Sequence, residues 1–312
     1  MADLISYIIR KVLLAIPVVI LATLIVFLML YLTGDPISQL RSPHSSPEDI
    51  QKIREKYGFD QPVIVQYGRF LGNLLQGDLG SSVAQGTTGT PVSSLIVQKL
   101  PLTLELMALG LTISYSLGIP LGVYSALKQN TLIDRSVMVF TLIAYAMPSF
   151  WLGILMILLF SIYLGILPTE GTVGGLKSLI LPALTLGLGN AALTTRMMRS
   201  SMLEVARQDY ITQLRSRGLS ERDVIFKHAL KNAILPVITV IGLDIGWFVS
   251  GAVVVETVFS WPGIGFLITT SITGSDFPTV QGCILVLAFF VILGNLTADI
   301  LYALADPRVR LG

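Results

Sequence analysis

The chain has 312 residues, of which 53% are hydrophobic and 13% charged, and its mean hydropathy is +0.76. A soluble globular protein carries about 25% charged residues, so this composition excludes a set of soluble domains and indicates a protein dissolved mainly in lipid. The net charge of +2 gives no basic excess that would indicate nucleic acid, and one cysteine, Cys283, excludes an internal disulfide framework. We expect Cys283 to be a small apolar residue in a helix.

A transmembrane helix needs about 20 mostly apolar residues. The sequence offers six such runs, at residues 12–32, 102–127, 137–164, 179–195, 233–258 and 282–305. The first follows Arg10 and Lys11, but it is longer than a signal-peptide core and lacks a small-x-small cleavage site, which predicts an uncleaved anchor. The predicted segments are a transmembrane helix (1–33), an external loop (34–100), a five-helix core with a cytoplasmic loop at 197–233 (101–305), and a cytoplasmic tail (306–312).

Lysine and arginine are retained on the cytoplasmic side of a membrane protein, which predicts the orientation. With the N terminus inside, 14 of the 21 cationic residues lie in cytoplasmic segments, and six of the other seven lie in the long loop after the first span. Both termini are therefore predicted to be cytoplasmic.

Two prolines and several glycines lie within the predicted spans. Pro120 and Pro148 remove a backbone hydrogen bond and are expected to bend their helices. The glycines have two interpretations, close helix packing or a moving hinge, of which packing is the usual use of small residues in lipid. They are Gly118, Gly122, Gly242, Gly246 and Gly251.

Residues 208–236, the hairpin segment, are polar but patterned. Apolar residues from Leu203 to Leu214 recur at helical spacing and predict one amphipathic helix outside the membrane. Gly218 is placed to end that helix in a left-handed conformation, and Ser220 with Asp223 resembles the capping box of a second helix. The second helix should run on toward Pro236.

Such a hairpin has three interpretations: it folds back on its own bundle, lies on anionic lipid, or docks into a partner protein. Eight positive charges against four acids between residues 196 and 231 allow contact with lipid. DNA binding is disfavoured, because membrane spans hold both ends of the hairpin.

The hairpin and five further segments resemble the permeases of bacterial ABC importers, in the dipeptide, oligopeptide and nickel group. The similar segments outside the hairpin are residues 57–82, 100–106, 148–161, 253–265 and 295–310. The resemblance implies an all-α type I ABC importer permease fold with six transmembrane helices, and the first permease subunit of the pair. The sequence itself has no Gly-rich lysine loop for a nucleotide.

The resemblance also implies partners. These are a second permease subunit, two ATPase subunits that bind ATP and Mg, and an extracytoplasmic substrate-binding protein. The hairpin would be the coupling loop that an ATPase grips, through Asp209, Tyr210, Arg215, Gly218, Leu219, His228, Asn232 and Pro236. One departure is Leu214, where many relatives have a small residue.

Placing an ionisable residue at membrane depth costs free energy, so each such residue needs a structural or functional explanation. Glu105, Glu256 and Asp299 lie near span ends, where hydration or pairing is expected, and Arg308 or another cytoplasmic cation is the expected partner of Asp299. Asp244 lies between Gly242 and Gly246 in the inner half of the fifth span. It either faces the passage and favours a cationic group of the cargo, or forms an ion pair or a hydrogen bond inside the bundle.

The long external loop is either functional or a simple cap on the bundle. The resemblance places the outer gate and the contacts with the binding protein at residues 77–82 and at the turn formed by Trp261, Pro262 and Gly263.

Other functions fit the sequence less well. An ion channel leaves the hairpin unexplained, and an intramembrane protease lacks a histidine at membrane depth, since His44 and His228 lie in loops. The buried acids alone leave a proton-coupled carrier open. Similar permeases carry dipeptides, longer peptides, glutathione or chelated nickel, so the predicted function is an importer subunit, with peptides as the first choice of cargo.

Overall fold

The computed structural model describes residues 2–33, 51, 60–84, 89–169, 171–172 and 174–305. In this part of the chain the regular structure is helical. Helices α1 to α6 span Ala2–Thr33, Val63–Leu75, Val92–Leu127, Leu132–Ala146, Ser149–Met156 and Leu176–Ala206. Helices α7 to α12 span Asp209–Ser216, Glu221–Asp223, Leu230–Ala233, Leu235–Val258, Ile264–Thr273 and Phe277–Ala305. Two stretches of π-helix, Ile157–Tyr163 and Val224–Ala229, follow α5 and α8.

Among the described residues, five helices are long and apolar enough to cross a membrane: α1, α3, α6, α10 and α12. The third predicted span is a broken one, in which Leu132–Ala146 and Ser149–Tyr163 meet at an angle of 106°. Pro148 stands just before the second half, so the bend expected there is confirmed, whereas α3 continues as helix through Pro120. The sequence also predicts a short helix at residues 47–57, which lie outside the described residues except for Gln51.

The Cα positions divide the chain into two compact units. Among the described residues, the first contains 2–12, 104–169, 171–172, 174–261 and 291–305, and the second contains 13–33, 51, 60–84, 89–103 and 262–290.

Helices of the first unit approach one another closely at glycines. A Cβ added to Gly118 would lie 2.7 Å from Thr194 Cβ, and one added to Gly122 would lie 2.6 Å from Met198 Cβ, so α3 packs directly on α6. A Cβ on Gly242 would lie 2.3 Å from Ala298 Cα, so α10 touches the backbone of α12. The packing interpretation of these three glycines is confirmed, because any side chain would force the helices apart.

The second unit has its own core and its own polar contacts. Its apolar centre is formed by Val92, Ile96, Ile264, Ile268 and Cys283, all buried, which confirms Cys283 as an apolar core residue in α12. The buried carboxylate of Asp276 accepts hydrogen bonds from Ser82 Oγ at 2.5 Å and Thr279 Oγ1 at 2.6 Å. These bonds hold the segment before α3 against the start of α12.

The hairpin segment differs from its prediction in one respect. We expected one amphipathic helix across residues 203–214, but α6 ends at Ala206 and α7 begins at Asp209. Gln208 lies between them with an extended backbone (φ −74°, ψ 146°), and the acidic Asp209 opens the new helix, where a negative charge favours the N-terminal dipole. Apolar periodicity continued across this break, which is why it did not reveal it.

Candidate functional site

The hairpin segment packs its apolar face onto the ends of α3 and α6. Ile211 in α7 and three residues of the following helical run are at most 2% exposed, namely Val224, Ala229 and Ala233. They share one core with Val123 and Ala126 of α3 and with Met198, Met202 and Val205 of α6. Of the three interpretations of the apolar face, folding back on the chain's own bundle is therefore the observed one.

Polar contacts hold the two arms of the hairpin together. The amide Nδ2 of Asn232 donates to the hydroxyl oxygen of Tyr210 at 2.7 Å, which joins two predicted coupling residues from opposite arms. Arg215 forms an ion pair with Glu221 across the turn, with Nε 2.7 Å from Oε1. Because both arms are also fixed in the apolar core, the hairpin is a rigid unit.

The turn between the arms follows its local sequence signals. Gly218 has φ +80°, the left-handed conformation expected of it. The Asp223 backbone N–H donates to Ser220 Oγ at 3.1 Å, which confirms Ser220 as the N-cap. The Asp223 carboxylate accepts from the Ser220 hydroxyl at 2.7 Å, where a full capping box would have it accept from the Ser220 backbone N–H. Lys227, 2.5 Å from Asp223, and the Ser220 hydroxyl hold the pKa of Asp223 below its usual value.

The exposed side chains of the hairpin are mostly polar. Asp209, Gln213, Arg217 and Lys231 are exposed, and Phe226 is 54% exposed. Leu219 and His228 are half-buried, and Pro236 is exposed in the first turn of α10. These exposed side chains form the outer face of the hairpin, the part open to contact with another molecule.

Asp244 lies inside the first unit, where α3, α6 and α10 meet. It is 6% exposed, and its Oδ2 accepts hydrogen bonds from the Tyr115 hydroxyl and from Asn190 Nδ2, the latter at 2.8 Å. Asn190 Nδ2 also donates to Ser114 Oγ at 3.1 Å. Within the described chain these partners are neutral, so of the two interpretations of Asp244 the structure shows the hydrogen bond inside the bundle.

The other predicted membrane acids have different surroundings. Glu105 is exposed, whereas Glu256 is fully buried. Asp299 pairs with Lys11, whose Nζ lies 3.0 Å from Oδ2, so its partner is a cation on α1. The predicted acids are thus spread over separate environments.

The predicted outer-gate residues Trp261, Pro262 and Gly263 lie in the connection between the end of α10 and the start of α11. Trp261 is 3% exposed, and its backbone N–H donates to the carbonyl of Glu256 at 2.8 Å. In the second unit, Gly263 precedes α11 and Pro262 is half-buried. The Ile264 N–H there donates to Thr103 Oγ1 at 2.8 Å, which caps the helix from α3.

Sequence reasoning missed a buried ion pair at the base of the hairpin. Arg199 of α6 binds Asp134 of α4 through two parallel bonds, Nε to Oδ1 at 2.7 Å and Nη2 to Oδ2 at 2.8 Å. One local signal was present, since Thr131 caps α4 and accepts from the Asp134 N–H in the S/T-x-x-D pattern. Nothing local indicated Arg199 as the partner.

These features define a multi-span helical membrane protein that carries a rigid two-armed hairpin at one end of its helices. Two family descriptions match the chain. "Binding-protein-dependent transport system inner membrane component" covers residues 118–311, and its N-terminal companion covers residues 4–107. The chain belongs to this family, and it is a multi-pass protein of the prokaryotic inner membrane.

Relatives match over nearly the whole length. The chain is 41% identical to the oligopeptide transport system permease protein AppB of Bacillus subtilis, over 98% of this chain and 99% of the relative. It is 39% identical to the di/tripeptide transport system permease protein DppB of Pseudomonas aeruginosa, over 98% of each. A putative peptide transport system permease protein of Brucella abortus is 42% identical, over 98% of this chain and 99% of the relative.

A solved structure shows the same fold. A chain of the MetNI methionine ABC transporter, in an inward-facing conformation, aligns with a TM-score of 0.59 at 18% identity. The alignment covers 68% of this chain and 97% of that chain. The all-α importer-permease fold class predicted from the sequence is confirmed.

Proposed function

We propose that the chain is a permease subunit of an ATP-driven, binding-protein-dependent importer and forms half of a pathway for peptides across the cytoplasmic membrane. The observation that carries this function is the match, over 98% of the chain, to relatives that are named as peptide transport permeases. These named relatives favour peptides over the alternatives of glutathione, chelated nickel and proton-coupled transport. The chain is a transport subunit and not an enzyme.

The partners are a second permease subunit, two ATPase subunits and an extracytoplasmic binding protein, with ATP and Mg held by the ATPases. The rigid hairpin supports an arrangement in which energy arrives through contact, because its inner face is fixed to α3 and α6 while its outer face is open. A closing ATPase that prefers one bundle conformation would thereby shift the equilibrium between two states.

The coupling residues fall into two groups by their contacts. Tyr210, Asn232, Gly218 and Arg215 shape the hairpin, and Asp209 presents charge on its exposed side. The positive-inside distribution supports a cytoplasmic hairpin with both termini on the same side. On that orientation Trp261, Pro262 and Gly263 belong to the outer gate.

Reconstitution tests the function. The chain is co-expressed with the permease and ATPase genes beside its own, purified, and placed in liposomes with the matching binding protein and a radiolabelled dipeptide or pentapeptide. We expect uptake that needs ATP and the binding protein, and none from the chain alone. Uptake driven by a proton gradient without ATP would contradict the proposal.

Asp244 is proposed to bias the pathway toward a cationic group of the cargo, such as a peptide amino terminus. Its carboxylate is bound by two neutral donors and by no cation of the described chain. In the reconstituted system, Asp244→Asn should lower uptake of free peptides relative to N-acetylated ones. Equal effects on both, or none, would remove Asp244 from the pathway.

A further inference from the structure

The carboxylate of Asp134 is the most heavily bound acid described in the first unit. It accepts both bonds of the Arg199 guanidinium, a bond from Ser125 Oγ at 2.5 Å and one from the Asn130 N–H at 2.9 Å. The residue is 3% exposed. We call Ser125, Asn130, Asp134 and Arg199 the staple.

The staple connects three parts of the chain at one place. Ser125 lies in the last turn of α3, Asn130 in the turn after it, and Asp134 in the first turn of α4. Arg199 lies on α6, one residue after Met198 of the hairpin core. The staple is therefore adjacent in sequence to the surface on which the hairpin sits, since Val123 and Ala126 also belong to that core.

The directions of its bonds make the staple rigid. A bidentate arginine–carboxylate pair fixes both the distance and the orientation of its two side chains. Two further donors leave the carboxylate little freedom to rotate. A displacement of α6 at this level must be followed by the start of α4.

The staple holds the start of α4, which is the first half of the broken span. α4 runs from Leu132 to Ala146 and then turns by 106° into the helix of Ser149–Tyr163. The hairpin core touches α3 and α6, and none of its buried members comes from α4. α4 also packs along α6, and the staple adds a directional ion pair between these two helices beside the hairpin core.

We infer that Asp134 and Arg199 are positioning residues that pass hairpin movement to α4, so that the broken span follows the hairpin as one body with α3 and α6. This inference rests on the proposed function, because it assigns the staple to energy coupling. It predicts that weakening the staple separates ATP hydrolysis from transport, beyond any loss of folded protein.

The test uses the reconstituted complex with wild-type protein, Arg199→Lys, and the double variant Asp134→Asn with Arg199→Gln. Lysine keeps the charge but loses the two parallel bonds. The double variant leaves no unpaired buried charge, so it should fold and assemble. Arg196→Gln, which changes an exposed arginine one turn earlier on α6, is the matched control.

The readout is the ratio of peptide taken up to ATP hydrolysed, per assembled complex. A merely structural role lowers the amount of complex and leaves this ratio unchanged. We expect the ratio to fall about five-fold or more in the double variant, since about five-fold is the lower end of typical coupling effects. The fall should be smaller in Arg199→Lys and absent in Arg196→Gln.

The outcomes separate the two claims. A double variant that assembles and keeps the wild-type ratio overturns the staple while the importer function stands. A wild-type complex without ATP-driven uptake overturns the proposed function and the staple with it. A fall in Arg196→Gln as large as in the double variant also overturns the staple, because any charge loss on α6 would then be sufficient.

Discussion

Two buried aspartates of the first unit have opposite environments. Asp134 is 3% exposed and bound by a guanidinium and two other donors, whereas Asp244 is 6% exposed and bound by a phenol and an amide. A charge that is removed from water needs compensation, and only Asp134 receives a full opposite charge from the described chain. The first carboxylate is held by an opposite charge, and the second is held by neutral donors alone.

The comparison predicts unequal costs for the same chemical change, which is the largest effect expected here. Asp134→Asn leaves Arg199 largely buried without its counterion, so it should destabilise the protein by about 3–5 kcal/mol. Asp244→Asn keeps an oxygen that accepts from Tyr115 and Asn190, so it should cost about 1 kcal/mol or less. Thermal unfolding of both variants in the same detergent measures the difference.

Equal losses of stability in the two variants would contradict the distinction between a carboxylate that is paired with a cation and one that is bound by neutral donors. Arg199→Gln combined with Asp134→Asn serves as control, because it removes both charges together and should recover part of the stability lost in the single variant.

A second pair of variants tests the packing on either side of Asp244. A Cβ at Gly242 would meet the backbone of Ala298 at 2.3 Å, whereas one at Gly246 meets Val291 Cγ1 at 3.4 Å. Gly242→Ala should therefore cost about 1–3 kcal/mol by overpacking, and Gly246→Ala should be neutral or slightly stabilising. Unfolding temperatures of the two variants measure this, and the same loss at both glycines would show that the close approach of α10 to α12 is not the cause.

A smaller effect is expected in the hairpin, where the polar contacts are exposed. Ser220→Ala removes the cap of the second arm and should lower its local stability by about 1 kcal/mol. Ser216→Ala is the control, since its hydroxyl only donates to a carbonyl one turn earlier. Hydrogen exchange of the amides at 221–233 should quicken in the first variant alone. Equal exchange in both would mean that the Ser220 cap contributes nothing to the hairpin.

Features fixed by neighbours in the chain could be predicted from the sequence. The left-handed conformation of Gly218 and the bend at Pro148 each depend on one residue. The cap of Ser220 on Asp223 depends on two residues three positions apart. The break at residues 207–208 was missed because apolar periodicity continues across it.

The contacts of the two buried aspartates could not be predicted in the same way. Asp134 meets Arg199 across 65 positions of sequence, and Asp244 meets Tyr115 across 129. Such pairs depend on how helices are rotated and shifted against each other. Here the close approach of α3 to α6 at Gly118 and Gly122 sets that arrangement. A single sequence shows that a membrane acid needs a partner, but it does not show which one.

The most direct test asks whether the outer face of the hairpin meets an ATPase. Cys283→Ala removes the single cysteine, and Phe226→Cys or Gln213→Cys then places a reactive thiol on that face. Gln76→Cys, exposed in the long loop predicted outside, is the control. In the assembled complex, a short bifunctional cross-linker should join both hairpin variants, and not the control, to an ATPase subunit, and nucleotide should change the yield. Cross-linking of the control to the ATPase, or none from either hairpin position, would contradict the assignment of this hairpin as the coupling element.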